Sequence, residues 1–161
     1  MRILTVWAVI SFALDQLSKV VVVHWMNLKE IGTVDVLPPL LNFRMGWNDG
    51  INFGLFGDGS QVMRWVLIAL AIAICAGLIW WAKRSLTRPI TLVGAGMVVG
   101  GAMANVLDRV IYGAVADFLN MSCCGINNPF TFNVADIFIF AGAFAIIIFD
   151  DGAKKDGASQ A

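Results

Sequence analysis

The chain is 161 residues long, with 59% apolar and 14% charged residues and a net charge of zero. A soluble domain carries roughly a quarter charged residues, and a mean hydropathy of +0.80 leaves more apolar side chain than a soluble globule this small can bury. A membrane protein of one domain or one small bundle is expected, and with no basic face nucleic-acid binding is excluded.

The first apolar run, residues 3–26, predicts a membrane helix. Arg2 precedes it, but Asp15 and Lys19 interrupt it and no small-x-small site follows, so it reads as a retained helix rather than a cleaved leader. Asp15 and Lys19 lie one turn apart, acid first, an order that pairs well across a turn. Charged groups inside a membrane helix face protein or water. Two readings stand for them: an ion pair that locks helix packing, or support for a nearby site.

Residues 27–60 form the one long segment with polar content. Leu41, Phe43, Met45 and Trp47 alternate with Asn42, Arg44, Gly46 and Asn48. After Asp49-Gly50 the alternation resumes at Ile51, Phe53 and Leu55. Period two around a glycine turn predicts a small external β-sheet whose apolar face lies on the membrane surface or over the bundle top. Trp25 and Trp47 suit an interfacial aromatic belt.

Three further apolar runs predict helices at 63–82, 89–110 and 133–150. The expected fold is an all-α membrane bundle of four transmembrane helices with a small β-sheet between helices 1 and 2. It forms a single domain over residues 1–152, followed by a polar tail, 153–161. Four crossings put Arg2, Lys83, Arg84, Arg88, Lys154 and Lys155 on one side, against Lys29, Arg44 and Arg109 on the other. The positive-inside rule makes the first side cytoplasmic. The 27–60 segment, Asp117 and the start of the fourth helix are then external.

The third helix carries Gly96, Gly100 and Ala104 on one stripe and Gly101, Asn105 and Arg109 on the next. Small residues at four-residue spacing let another backbone approach closely. Packing accounts for the glycines but not for Asn105, Asp108 and Arg109 emerging at one end. Arg109 there could cap the helix dipole; three polar groups together better suit a hydrogen-bonded cluster at the membrane surface. Asn133 and Asp136 read either as an N-cap with an acid at N3 or as partners of Asp117.

If the third and fourth helices are antiparallel, Asp117 and Asp136 reach similar depth on one membrane face. Two carboxylates forced together share a proton, so one can act as base on a water while the other donates a proton. That arrangement suits peptide hydrolysis without a covalent intermediate. No serine elbow or HExxH motif competes, and His24 has no partner motif. Cys75 reads as a packing residue, and pairing the adjacent Cys123 and Cys124 with each other would strain the bond. No metal-ligand spacing occurs, so no metal site is expected.

Asp15-Gln16-Leu17-Ser18-Lys19, Asn48-Asp49-Gly50-Ile51-Asn52-Phe53, Gly101 to Arg109, Val115-Ala116-Asp117-Phe118 and Phe132-Asn133-Val134-Ala135-Asp136 occur in that order. Together they resemble lipoprotein signal peptidase, also called signal peptidase II, the aspartyl endopeptidase of the bacterial inner membrane. The resemblance implies a catalytic dyad of Asp117 and Asp136. Asn48, Gly101, Asn105, Arg109 and Asn133 would line or support the substrate site, with Asp15, Lys19 and Asp108 behind them. It implies cleavage of prolipoproteins on the amino side of a diacylglyceryl-modified cysteine, without cofactor, among membrane lipids, and inhibition by globomycin-type peptides. Ala104, where glycine is expected, and Asn52, where a small apolar residue is usual, depart from the family pattern, and residues 121–128 have no family role. The rival reading, a small proton-coupled membrane transporter, is motivated by Asp15 and Lys19 but lacks an inverted repeat or broken helix. A purely structural scaffold would leave the external polar cluster unexplained.

Overall fold

The computed structural model describes residues 1–50, 60–123 and 128–150. Helix α1 (Arg2–Lys19) runs on through a π-helical stretch, Val20–Trp25. A short helix α2 (Leu28–Ile31) leads into strands β1 (Thr33–Leu37) and β2 (Leu41–Asn48). Helices α3 (Ser60–Ser85) and α4 (Pro89–Tyr112) follow, then strand β3 (Val115–Asn120) and helix α5 (Val134–Phe149). The helix ends follow local chemistry. Pro89 opens α4 at a position where no amide is needed, and Gly113 closes it with φ +87° while its N–H donates to the Arg109 carbonyl. Asn133 and Asp136 open α5 through a capping box.

Three helical stretches, Arg2–Trp25, Gln61–Ser85 and Pro89–Tyr112, are long and apolar enough to cross a membrane. Helix α5 is apolar but has 16 residues, about 24 Å at the helical rise. The expected set of four spans is therefore met at three. Helices α1, α3, α4 and α5 overlap the four stretches expected to be helical.

Helix α4 is the hub, packing against α1, α3 and α5. Its two glycine stripes divide the work. A Cβ at Gly96 would sit 2.5 Å from the Leu4 carbonyl, and one at Gly100 would collide with the Ala8 carbonyl, so this stripe receives α1. A Cβ at Gly94 would lie 2.6 Å from the Gly142 carbonyl and one at Gly101 2.6 Å from the Ala135 carbonyl, so the other stripe receives α5. Gly142 reciprocates against Gly94. Gly100→Ala is expected to lower stability by about 1–3 kcal/mol through overpacking against rigid backbone, read as a lower unfolding temperature in detergent; an unchanged value would mean α1 yields freely. Helix α3 instead turns Val66, Leu70, Ile74 and Trp80 outward, a surface suited to lipid.

Leu4, Ala82, Leu86, Ala95 and Ile146 form one apolar cluster. It gathers the start of α1, the end of α3, the start of α4 and the end of α5 at one pole, so the long helices alternate in direction.

At the opposite pole lies a three-stranded antiparallel sheet, in the order β1-β2-β3. The alternation along Leu41–Asn48 is a strand, as expected. Its described partners are β1 and β3, with Asn42 opposite Asp35 and Gly46 opposite Asp117. The predicted return strand at Ile51, Phe53 and Leu55 lies outside the described residues, as do Asn52 and the 153–161 tail. Phe43 and Met45 pack with Val22, Val23, Leu28, Ala116 and Phe118, so the sheet's apolar face covers the bundle end. The Phe43 and Phe118 rings meet edge to face at 5.8 Å. Trp25 and Trp47 remain exposed, as an interfacial role requires.

Candidate active site

Asp117 sits in the middle of β3, and Asp136 in the first turn of α5. Asn133 joins them. Its Nδ2 donates to Asp117 Oδ1 at 2.6 Å, and its Oδ1 accepts from the Asp136 amide at 2.9 Å. Asp136 Oδ2 in turn accepts from the Asn133 amide at 3.2 Å, and Asp136 Oδ1 accepts from Asn105 Nδ2 at 3.1 Å. Asn105 Oδ1 accepts a bond from Asn133 Nδ2 at 3.2 Å, which closes the ring between α4 and α5. The capping reading of Asn133 and Asp136 is met, and Asn133 also bonds Asp117.

Asp117's other oxygen, Oδ2, accepts from Asn48 Nδ2 at 3.0 Å. Asn48 is aimed by its own turn, since its Oδ1 accepts the Gly50 amide at 3.0 Å. Arg109 bonds the Asn105 carbonyl at 3.3 Å, and its charge acts on Asp108, Asp117 and Asp136. Gly101 contributes by absence: without a side chain it admits the Ala135 carbonyl and the start of α5.

Beneath this network is a buried ion cluster. Lys19 Nζ lies 2.7 Å from Asp15 Oδ2 and 2.7 Å from Asp108 Oδ2. Asp15 Oδ1 accepts from the Ala135 amide at 2.8 Å, a carboxylate at a helix N-terminus. Asp108 Oδ2 accepts from the Ala116 amide at 3.1 Å, and its Oδ1 accepts from Gln16 Nε2 at 3.0 Å. The cluster therefore ties the two amides next to the candidate dyad, at Ala116 and Ala135, to helices α1 and α4. Asp15 and Lys19 pair across one turn, as their order suggests, and Asp15 also reaches the Ala135 amide at the start of α5.

Only 3% of Asp117 is exposed. Burial pushes its carboxyl from 3.8 up to about 6, with the nearby Asp136 charge adding to the rise against the amide bonds from Asn48 and Asn133. A carboxyl whose folded value is raised favours folding fully at low pH and loses that contribution as pH rises towards the folded value. Wild type is therefore expected to lose stability relative to Asp117→Asn between pH 3.8 and about 6, with a constant difference above. The change is on the order of 1–3 kcal/mol. Thermal unfolding of both proteins from pH 4 to 8 checks it; parallel curves would contradict the raised value.

Asp117 opens on a cleft of about 370 Å3 whose wall includes Trp47, Asn48, Asp49, Phe130 and Thr131. Asp136 instead meets an apolar groove of about 590 Å3 that runs down α5 past Phe140 and Phe144. The two carboxylates thus look onto different surroundings, one polar and open, the other apolar and lateral. Among the described residues no group of three or more His, Cys, Asp or Glu is arranged to hold a metal.

Sequence reading missed Gln16 and the 129–131 wall of the cleft. Gln16 stands between Asp15 and Lys19 and gives no pattern of its own. Pro129 to Thr131 connect β3 to Asn133, and that short return was the available signal. Asn120 holds this stretch, its Nδ2 donating to the Asn128 and Phe130 carbonyls, both at 2.8 Å. Cys123 is disulfide-bonded, while Cys75 is a buried free thiol.

A family model described as "Signal peptidase (SPase) II" matches residues 7–150. The chain is 38% identical over 127 residues to the lipoprotein signal peptidase of Methylobacterium radiotolerans, covering 78% of this chain and 73% of that protein. It is 35% identical over 154 residues to that of Polynucleobacter necessarius, covering 94% and 90%. A solved bacterial membrane enzyme, determined by the in meso method, matches the fold with a TM-score of 0.75 at 28% identity, covering 89% of this chain and 88% of that one.

Proposed function

The chain belongs to the signal peptidase II family, and from that premise we propose that it is a membrane protease that removes signal peptides from prolipoproteins with Asp117 and Asp136 as its catalytic pair. The observation that carries the reading is the Asn133 bridge, which holds Asp117 Oδ1 at 2.6 Å while capping the turn that bears Asp136. One carboxylate, as base, takes a proton from the attacking water while the other, protonated, gives its proton to the peptide carbonyl; the first then passes its new proton to the leaving amine as the second takes one back from the gem-diol. Burial of Asp117, which raises its carboxyl to about 6, supports a proton held at this site. Asn48, Asn105 and Arg109 hold the pair in register, and no metal or cofactor takes part in this scheme.

The two cavities suggest how the substrate lies. The peptide threads the open cleft beneath β2, and the diacylglyceryl chains and signal-peptide side chains rest in the apolar groove along α5. Cleavage on the amino side of the lipidated cysteine follows if that residue sits where cleft and groove meet. The pole of the bundle with the chain start and the α3–α4 turn carries Arg2, Lys83, Arg84 and Arg88, which supports a cytoplasmic assignment and an active site facing the periplasm across the bacterial inner membrane. Helix α5, with Asp136 at one end and Arg88 bonded to the Phe149 carbonyl at the other, completes a four-helix bundle spanning the described part of a single 1–152 domain.

Family membership leaves the transporter reading without support. The Lys19 charge that motivated it is taken up by two carboxylates. The test is incubation of the detergent-solubilised protein with a diacylglyceryl-modified prolipoprotein. A size shift blocked by globomycin is expected; intact substrate after prolonged incubation would overturn the reading.

A further inference from the structure

Thr131 has no part in the scheme above, yet its hydroxyl is placed with care. On its C-terminal side Phe132 is pinned to β3. The Phe132 amide donates to the Leu119 carbonyl at 3.0 Å, and the Phe132 carbonyl accepts from the amides of Leu119 at 2.8 Å and Phe118 at 3.0 Å. On its N-terminal side Asn120 holds the Phe130 carbonyl at 2.8 Å. The residue between two such anchors cannot drift, and it lines the same cleft as Asp117 and Asn48.

Its Oγ1 is seated over Gly46, the residue directly opposite Asp117 in the β2–β3 register. A Cβ at Gly46 would collide with that oxygen, and would lie 3.6 Å from the Asp117 carbonyl. The missing side chain at Gly46 is therefore what admits the hydroxyl to the wall beside Asp117. Asn48 and Asn133 are both engaged with Asp117. Among the described residues no hydrogen bond engages Thr131 Oγ1, and the residue is only half-buried. A hydroxyl can donate to a carbonyl or accept from an amide, and this one is rigidly held with that capacity unused.

We propose that Thr131 is a positioning residue whose hydroxyl hydrogen-bonds the main chain of the substrate peptide in the cleft, next to the bond presented to Asp117. The ligand it recognises is an extended peptide backbone rather than a particular side chain. The proposal rests on the dyad reading of the site. Gly46 and Thr131 form one device, the glycine setting how deep the hydroxyl reaches.

The experiment compares Thr131→Val, which keeps the shape and removes the hydroxyl, with Thr131→Ser, which keeps the hydroxyl. Cleavage of a lipidated prolipoprotein peptide is measured at varied substrate concentration, alongside unfolding temperature. Thr131→Val is expected to raise KM about tenfold, the loss of one hydrogen bond, with kcat changed less than about twofold. Thr131→Ser should restore KM, and neither variant should lower the unfolding temperature. An unchanged KM in Thr131→Val would overturn the proposal. So would equal losses in both variants with a lowered unfolding temperature, which would make Thr131 a packing residue. Asp117→Asn in the same assay separates the two levels: if it is inactive while Thr131→Val matches wild type, only the Thr131 proposal falls. If Asp117→Asn still cleaves, the dyad falls and this proposal with it.

Discussion

Asp117→Asn and Asp136→Asn are each expected to cut the rate of prolipoprotein cleavage by roughly 100- to 10,000-fold, the range that a positioned acid or base contributes. Asparagine keeps the size and one acceptor of aspartate but can neither take up nor release a proton at neutral pH. The surrounding frame should survive. In Asp136→Asn the side-chain oxygen can still accept from the Asn133 amide, at 3.2 Å in the native protein. In Asp117→Asn it can still accept from Asn133 Nδ2, where the native bond is 2.6 Å. Both variants should therefore insert and keep their helical signal while losing turnover. Full activity in either purified variant would remove the dyad from the mechanism. Activity lost together with the helical signal would instead assign the residue to folding.

The second large effect is expected at Lys19, in the ion cluster beneath the candidate dyad. Its ammonium compensates two buried carboxylates, each at 2.7 Å, and both Asp15 and Asp108 are fully buried. Lys19→Met leaves those charges unpaired, and breaking a buried ion pair from one side costs about 3–5 kcal/mol. The loss should reach the site, because Asp15 holds the Ala135 amide and Asp108 the Ala116 amide. Neutralising all three positions (Lys19→Met with Asp15→Asn and Asp108→Asn) should recover much of the stability, since neutral groups of similar volume often replace a buried ion cluster without loss. Thermal unfolding of the single and triple variants, with cleavage rates beside it, is the measurement. A single variant within about 1 kcal/mol of wild type would show that the cluster carries little, as for exposed pairs.

Much of the fold and of the site's roster was legible in the residues. Uniform apolar runs mark the long helices because a backbone in lipid must satisfy itself within one segment. The start of α5 was legible for a local reason, in the Asn133-Asp136 capping pair. The five motifs named candidate site residues through resemblance, and among the described residues those candidates gather at one pole.

What the sequence could not supply is who meets whom. Val115–Asn120 is a strand buried along most of its length, so it shows no alternation and was read only as the setting of Asp117. The pairing of β2 with β3 joins segments distant in the chain, and no local pattern encodes that choice.

By itself, then, the amino-acid sequence determined a membrane-bound helical chain with two carboxylates near one face, because hydrophobic length and capping act over a few neighbouring residues. Only the tertiary structure decided that Asn133 spans both carboxylates, that Lys19 lies between Asp15 and Asp108, and that Thr131 rests over Gly46. Those contacts depend on how closely α1 and α5 approach α4. Glycines without side chains set that distance, and it exists only once the helices are packed.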